Sequence, residues 1–168
     1  MSHQELAEIA CSNGIRWVQL RVKNKPAEDI LGIARDVRRI TSKYQALLIV
    51  NDHPDIARAS GADGVHLGKS DMPVEQAREI LGPDSIIGGT ANTLEDILAL
   101  QKAGADYAGL GPYRFTSTKE RLSPVLGLRG YKEILQLEPA IGLPVIAIGG
   151  IQAEDVIPLL ACGVHGVA

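Results

Sequence analysis

The residues best equipped for chemistry are polar side chains that end or follow short apolar runs. In Gln19-Leu20-Arg21-Val22-Lys23 the polar residues recur with period two, so Gln19, Arg21 and Lys23 point to one side of an extended segment. In a barrel, whose outer side helices cover, Gln19 and Arg21 would face the interior near its upper rim with Lys23 at the mouth, a functional placement because charged groups are seldom buried without a partner. A solvated strand face, or charges guarding a sheet edge, is the plainer alternative. Asn51-Asp52 closes the next apolar run, and Asp71 follows the one after it, in His66-Leu67-Gly68-Lys69-Ser70-Asp71. Two carboxylates beside an amide offer the hard oxygen donors that Mg2+ takes while it keeps waters and phosphate oxygens. Capping of the helices that follow is an equally ordinary duty for Asp52 and Asp71. His66 sits within its run and reads as a core imidazole, while His3, His53 and His165 have no ligand spacing.

Two further stretches suit an anion. Thr116-Ser117-Thr118-Lys119, close behind Gly109-Leu110-Gly111-Pro112, offers hydroxyl and ammonium donors to phosphate oxygens, or else is a solvated loop. Gly149-Gly150 lies between an apolar run and a helix start, where backbone N–H groups can approach a ligand and the helix end favours negative charge. A tight structural turn would use the same pair. Nothing in the chain spells a nucleophile with its base.

These groups need a scaffold. Runs rich in Val, Ile and Leu at Arg16–Val22, Ala46–Val50, Gly64–Leu67, Ile86–Gly89, Tyr107–Leu110, Pro144–Ile148 and Val164–Ala168 are nearly continuous in apolar character, as parallel strands covered on both faces are. Helical stretches alternate with them: Gln4–Ser12, Ala27–Lys43, Pro54–Ser60, Pro73–Leu81, Leu94–Ala103, Leu128–Leu137 and Ala153–Ala161. Gly14, Gly61, Gly104 and Gly163 each follow a helix and precede a strand, where a left-handed residue ends the helix. The phrase recurs as Gly61-Ala62-Asp63-Gly64, Gly104-Ala105-Asp106-Tyr107 and Gly163-Val164-His165-Gly166, a repeated unit of helix end and strand start.

The alternation predicts an α/β fold, a (β/α)8 TIM barrel, over an open sheet, because no Gly-rich dinucleotide turn follows the first strand. The chain opens with a helix, ends on a strand, and has 168 residues where this barrel usually has about 250. The expectation is one TIM-barrel domain over residues 1–168, truncated at both ends, lacking the first strand and the last helix. Bare strand edges would then flank Gln19 and Val167.

A formal net charge of -3 gives no electrostatic footprint for nucleic acid or an anionic membrane. The apolar runs fall far short of the roughly 20 residues a membrane helix needs, and no signal peptide pattern follows Met1. Cys11 and Cys162 have no metal-ligand spacing and read as core fillers in a reducing compartment, so a cytoplasmic location is expected.

Taken in order, Val18–Lys23, Val50-Asn51-Asp52, Ala62–Asp71, Gly109–Pro112, Thr116–Lys119 and Ala147–Ile151 resemble the thiamine phosphate synthase family and its thiazole tautomerase relatives over nearly the whole chain. The resemblance implies a transferase of thiamine biosynthesis. It would join 4-amino-5-hydroxymethyl-2-methylpyrimidine diphosphate to a thiazole phosphate and release pyrophosphate, with Mg2+ as cofactor. It further implies that Gln19, Arg21 and Lys23 contact the diphosphate and pyrimidine, that Asn51 contacts substrate, and that Asp52 and Asp71 hold Mg2+. Thr90 stands where the family usually has Ser. By the same resemblance Thr116 and Thr118 meet the thiazole phosphate, Lys119 the diphosphate, and the Gly150 backbone the thiazole phosphate, with Arg21, Lys23 and Lys119 as the catalytic cations. Asn92 occupies a position that is often His. The family's opening strand, and its last phosphate turn with a Ser, have no counterpart in the chain. Homodimerisation is implied by the family alone. Thiazole tautomerase would need a proton relay that Asn92 cannot supply, and a non-catalytic phosphate-binding barrel is the alternative from another class.

Overall fold

The computed structural model describes residues 1–115, 124–136 and 141–168. Its elements run α1 (His3–Ser12), β1 (Trp17–Leu20), α2 (Ala27–Lys43), β2 (Leu47–Asn51), α3 (Pro54–Ser60), β3 (Gly64–Leu67), α4 (Val74–Leu81) and β4 (Ile86–Ala91), then α5 (Leu94–Lys102), β5 (Tyr107–Leu110), α6 (Gly127–Gln136), β6 (Val145–Ala147), α7 (Val156–Leu160) and β7 (Gly166–Val167). The chain divides into two compact units, Met1–Ile87 and Gly88–Ala168.

In the first unit β1, β2 and β3 pair in parallel, with Gln19 opposite Ile49 and Asn51 opposite His66. Leu48, Ile49, Val50 and Val65 are fully buried, each stabilising the fold by about 1.5–3 kcal/mol. Burial of consecutive residues explains why these strands read as unbroken apolar runs: both faces are covered. α2 buries Ile30, Ala34, Val37 and Thr41, which recur at helical spacing along one face. α1 begins with a reciprocal cap, the Ser2 hydroxyl accepting from Glu5 N–H at 3.1 Å and Ser2 N–H donating to the Glu5 carboxylate at 2.7 Å.

The second unit pairs β4 to β5, β5 to β6 and β6 to β7, again in parallel. Ala108, Leu110, Tyr131, Val145, Ala147 and Leu159 form its core. Gly88 makes room for the buried Tyr107 ring, from which a Cβ there would lie 2.0 Å.

The repeated phrase acts as one device. Gly61, Gly104 and Gly163 adopt φ of 69°, 80° and 99°, the left-handed region, with open space around each, so backbone conformation alone selects glycine. Two residues on, Asp63 accepts from Leu48 N–H at 2.7 Å and His165 Nδ1 accepts from Val145 N–H at 3.2 Å. Each side chain thus satisfies the start of the preceding strand. Asp63 is also neutralised by Arg38 at 2.6 Å. Gly64, next in the phrase, allows close approach: a Cβ would sit 1.9 Å from the Ile86 carbonyl oxygen. Backbone cannot swing aside, so Gly64→Ala should destabilise by about 1–3 kcal/mol or more through overpacking. At this size that is roughly 2–4 °C of Tm per kcal/mol. A thermal melt with an unchanged midpoint would contradict the close approach.

One expected element differs. The stretch Ala153–Ala161 is a 3-10 turn, Ala153–Asp155, followed by α7. The Asp155 carboxylate turns back to accept from Gln152 N–H at 2.9 Å and is held by partners outside its own helix.

Candidate active site

The C-terminal ends of β1, β2 and β3 bring together most of the polar groups expected in the first unit. β1 ends at Leu20, so of the period-two series only Gln19 lies within the strand, and Arg21 and Lys23 follow it. Gln19 is exposed, yet its amide donates to Asn51 Oδ1 at 2.6 Å. Asn51 is nearly buried and its side chain in turn hydrogen-bonds the Asp52 carboxylate. An ordered row therefore runs from Gln19 through Asn51 to Asp52.

Asp52 has φ 67°, a left-handed conformation uncommon outside glycine and costing of order 1–3 kcal/mol. The turn is fastened on both sides, Asp52 N–H donating to the His66 carbonyl at 2.9 Å and His53 N–H to the Asn51 carbonyl at 2.9 Å. His66 is a buried strand residue, as its position in the run suggested. Asp71 is set by a reciprocal contact with Gly68: its Oδ2 accepts from Gly68 N–H at 2.6 Å, and its own N–H donates to the Gly68 carbonyl at 3.1 Å. Any Cβ on Gly68 would meet that oxygen at 2.7 Å. This glycine was quoted in the motif but carried no role in the sequence reading; its signal was its place three residues before an aspartate.

Neither aspartate caps the following helix. The N-cap positions of α3 and α4 are His53 and Pro73, and neither makes a side-chain cap. Asp52 and Asp71 instead meet each other. Burial pushes the Asp52 carboxyl above the usual aspartate range, aided by the hydrogen bond to Asp71 and by its negative charge. The Asn51 amide and the Arg21 charge act in the opposite direction and are outweighed. Two carboxylates held together with insufficient compensating charge form a site that a cation would relieve. The donors are hard oxygens, and among the described residues there is no group of three or more His, Cys, Asp or Glu that could hold a metal alone. Such a set fits an ion that keeps waters and shares phosphate oxygens.

The pH dependence follows with its sign. An aspartate whose pKa is raised on folding holds its proton more tightly in the native state. Its stabilising contribution is therefore fully present below the unfolded value of about 3.9 and is lost as pH rises through the folded value. Without divalent cation, Asp52→Asn should match the parent near about pH 4 and exceed it in Tm at neutral pH. Melts that coincide across that range would refute the like-charge contact.

In the second unit Thr90 is buried on β4, opposite Gly109 of β5. The Asn92 amide donates to the Gly111 carbonyl at 2.5 Å, tying the turn after β4 to the one after β5. Gly149 and Gly150 are both left-handed, φ 92° and 71°. Their turn is backed by the segment after β5: Tyr113 N–H donates to the Ile148 carbonyl and Arg114 N–H to the Gly149 carbonyl, each at 2.9 Å. Arg114 forms a two-pronged pair with Asp155, at 2.5 and 2.7 Å. Neither was singled out from sequence, because 41 residues separate them and no spacing rule links such a pair. Thr116, Thr118 and Lys119 lie outside the described residues.

Parallel strands alternating with helices, with polar groups gathered where strands end, define the TIM-barrel class of α/β enzyme. A family model described as thiamine monophosphate synthase matches residues 1–168. The thiamine-phosphate synthase of Bacteroides thetaiotaomicron is 51% identical over 166 residues, covering 98% of this chain and 79% of that protein. That of Flavobacterium johnsoniae is 51% identical over 161 residues, covering 95% and 76%. A solved thiamine phosphate pyrophosphorylase from Pyrococcus furiosus is similar with a TM-score of 0.88 at 38% identity, covering 99% of this chain and 78% of that one. The chain belongs to the thiamine monophosphate synthase family.

Proposed function

We propose that this chain couples the pyrimidine diphosphate to the thiazole phosphate with Mg2+ held at Asp52 and Asp71. Family membership makes it a transferase of thiamine biosynthesis. The observation that carries the metal assignment is the meeting of the two carboxylates, whose mutual repulsion Arg21 does not offset.

The chemistry needs leaving-group stabilisation more than proton transfer. Pyrophosphate departs from a benzylic-type carbon on an electron-rich aminopyrimidine, and the thiazole nitrogen that attacks already has a lone pair. Mg2+ bound at the carboxylates would supply charge neutralisation for the diphosphate. Arg21, whose charge already acts on Asp52, and Lys23 would add positive charge for the diphosphate, and Gln19 fixes the Asn51 amide by the 2.6 Å bond. The Gly150 backbone, Thr116 and Thr118 are assigned to the thiazole phosphate and Lys119 to the diphosphate, with Thr90 keeping a hydroxyl for substrate where the family usually has Ser. The Asn92 amide donates to a backbone carbonyl, which fits a structural tie and not the proton relay a tautomerase needs.

Among the described residues no helix is long and apolar enough to cross a membrane, and Cys11 and Cys162 are free and buried. These support a cytoplasmic enzyme acting on small molecules; homodimerisation is proposed from the family alone. The deciding assay incubates the protein with both substrates, with Mg2+ and with a chelator. Thiamine phosphate formed only with the metal is expected, and its absence from folded protein would refute the reading.

A further inference from the structure

We propose that Asp155, through Arg114, is a positioning residue for thiazole-phosphate binding: it orients the Gly149–Gly150 peptide that presents the Gly150 N–H. The inference rests on the assignment of Gly150 to that phosphate. The Gly149 carbonyl accepts from Arg114 N–H at 2.9 Å. A peptide unit is planar and trans, so fixing the Gly149 C=O fixes the Gly150 N–H, which points the opposite way in the same plane. Whatever holds the Arg114 main chain therefore aims the Gly150 donor.

Asp155 is what holds it. Its side chain is only 6% exposed, and its two oxygens accept both terminal nitrogens of Arg114, the Gln152 N–H and, at 3.3 Å, the Tyr113 hydroxyl. Capping of the 3-10 turn explains the Gln152 contact alone. The other contacts clamp the segment after β5 to the turn after β6, on either side of Gly149–Gly150. Tyr113 extends the clasp by packing edge-on against Tyr131, ring centroids 5.9 Å apart, and the Tyr131 hydroxyl donates to Leu110 O and accepts from Ile148 N–H at 3.4 Å. The turn itself has little slack. A Cβ on Gly150 would lie 3.0 Å from both Arg114 Cβ and the Phe115 carbonyl oxygen.

The test is Asp155→Asn, which keeps the shape and an acceptor for Gln152 but loses the charged pair. Equilibrium titration with thiazole phosphate, and KM for the same substrate, should each weaken by about tenfold, the effect of misplacement and not of a lost ligand contact. KM for the pyrimidine diphosphate and kcat at saturation should stay within about twofold. Arg114→Lys, which retains charge but not the two-pronged geometry, should give the same split at about threefold, and it serves if Asp155→Asn does not fold. A fall in Tm with both affinities unchanged, or with both weakened equally, would overturn the inference. A parent protein that binds thiazole phosphate without making product would refute the synthase reading and leave the titration valid. One that binds none would overturn both.

Discussion

Asp52→Asn and Asp71→Asn are each expected to lower kcat by about 10^2–10^3-fold, the loss typical when a charged group that stabilises developing charge is removed. Amide for carboxylate preserves size and deletes only charge, so the fold should survive. For Asp52 it should improve in the metal-free protein, because the neighbouring Asp71 no longer faces a like charge. After solvent screening that relief is worth at most about 1 kcal/mol. Asn is the right replacement for a second reason: φ at Asp52 is 67°, and Asn tolerates the left-handed region where Ala is strained. Steady-state turnover beside a thermal melt decides the matter. Activity within a few-fold of the parent in both variants would defeat the metal assignment, whereas activity lost together with fold would leave the carboxylates with a structural duty.

Gly68→Ala should raise the Mg2+ concentration for half-maximal activity by about 10–100-fold, the usual cost of disturbing a group that orients a metal ligand. The physical reason lies in what yields. At Gly64 the clash is with backbone and the fold must absorb it. At Gly68 a Cβ would meet Asp71 Oδ2 at 2.7 Å, and that oxygen is the far end of a side chain. The carboxylate can rotate away, so stability is spared while the 2.6 Å bond from Gly68 N–H is lost. The two glycine variants therefore separate in opposite ways, Gly64→Ala in Tm and Gly68→Ala in metal dependence. A metal titration in which Gly68→Ala tracks the parent would show that the Asp71 rotamer does not matter.

Much of the architecture was legible because parallel strands advertise themselves. β3 and β5 fall on the runs Gly64–Leu67 and Tyr107–Leu110 residue for residue, and α2 and α3 match Ala27–Lys43 and Pro54–Ser60. Glycines at 61, 104 and 163 marked helix ends because only they adopt the left-handed turn at no steric cost. The helix expected at Ala153–Ala161 opens with a 3-10 turn, Ala153–Asp155, that runs directly into Val156–Leu160, and the Arg114 partner of Asp155 is one that local propensity cannot see.

The candidate site divides along the same line. The types and spacing of Gln19, Arg21, Asn51, Asp52 and Asp71 raised phosphate and metal chemistry from the sequence alone, and the ordered motifs pointed to a family. Whether the aspartates would cap helices or hold a cation was open, since both uses call for the same residue at the same strand end. Tertiary structure puts His53 and Pro73 at the N-caps and, by bringing β2 and β3 into register, with Asn51 opposite His66, lets the two carboxylates, 19 residues apart, share one space. The clasp of Arg114 and Asp155 belongs wholly to the fold. Local chemistry is written in residue identity and short spacing, but the partner of a charge is set by which strands become neighbours.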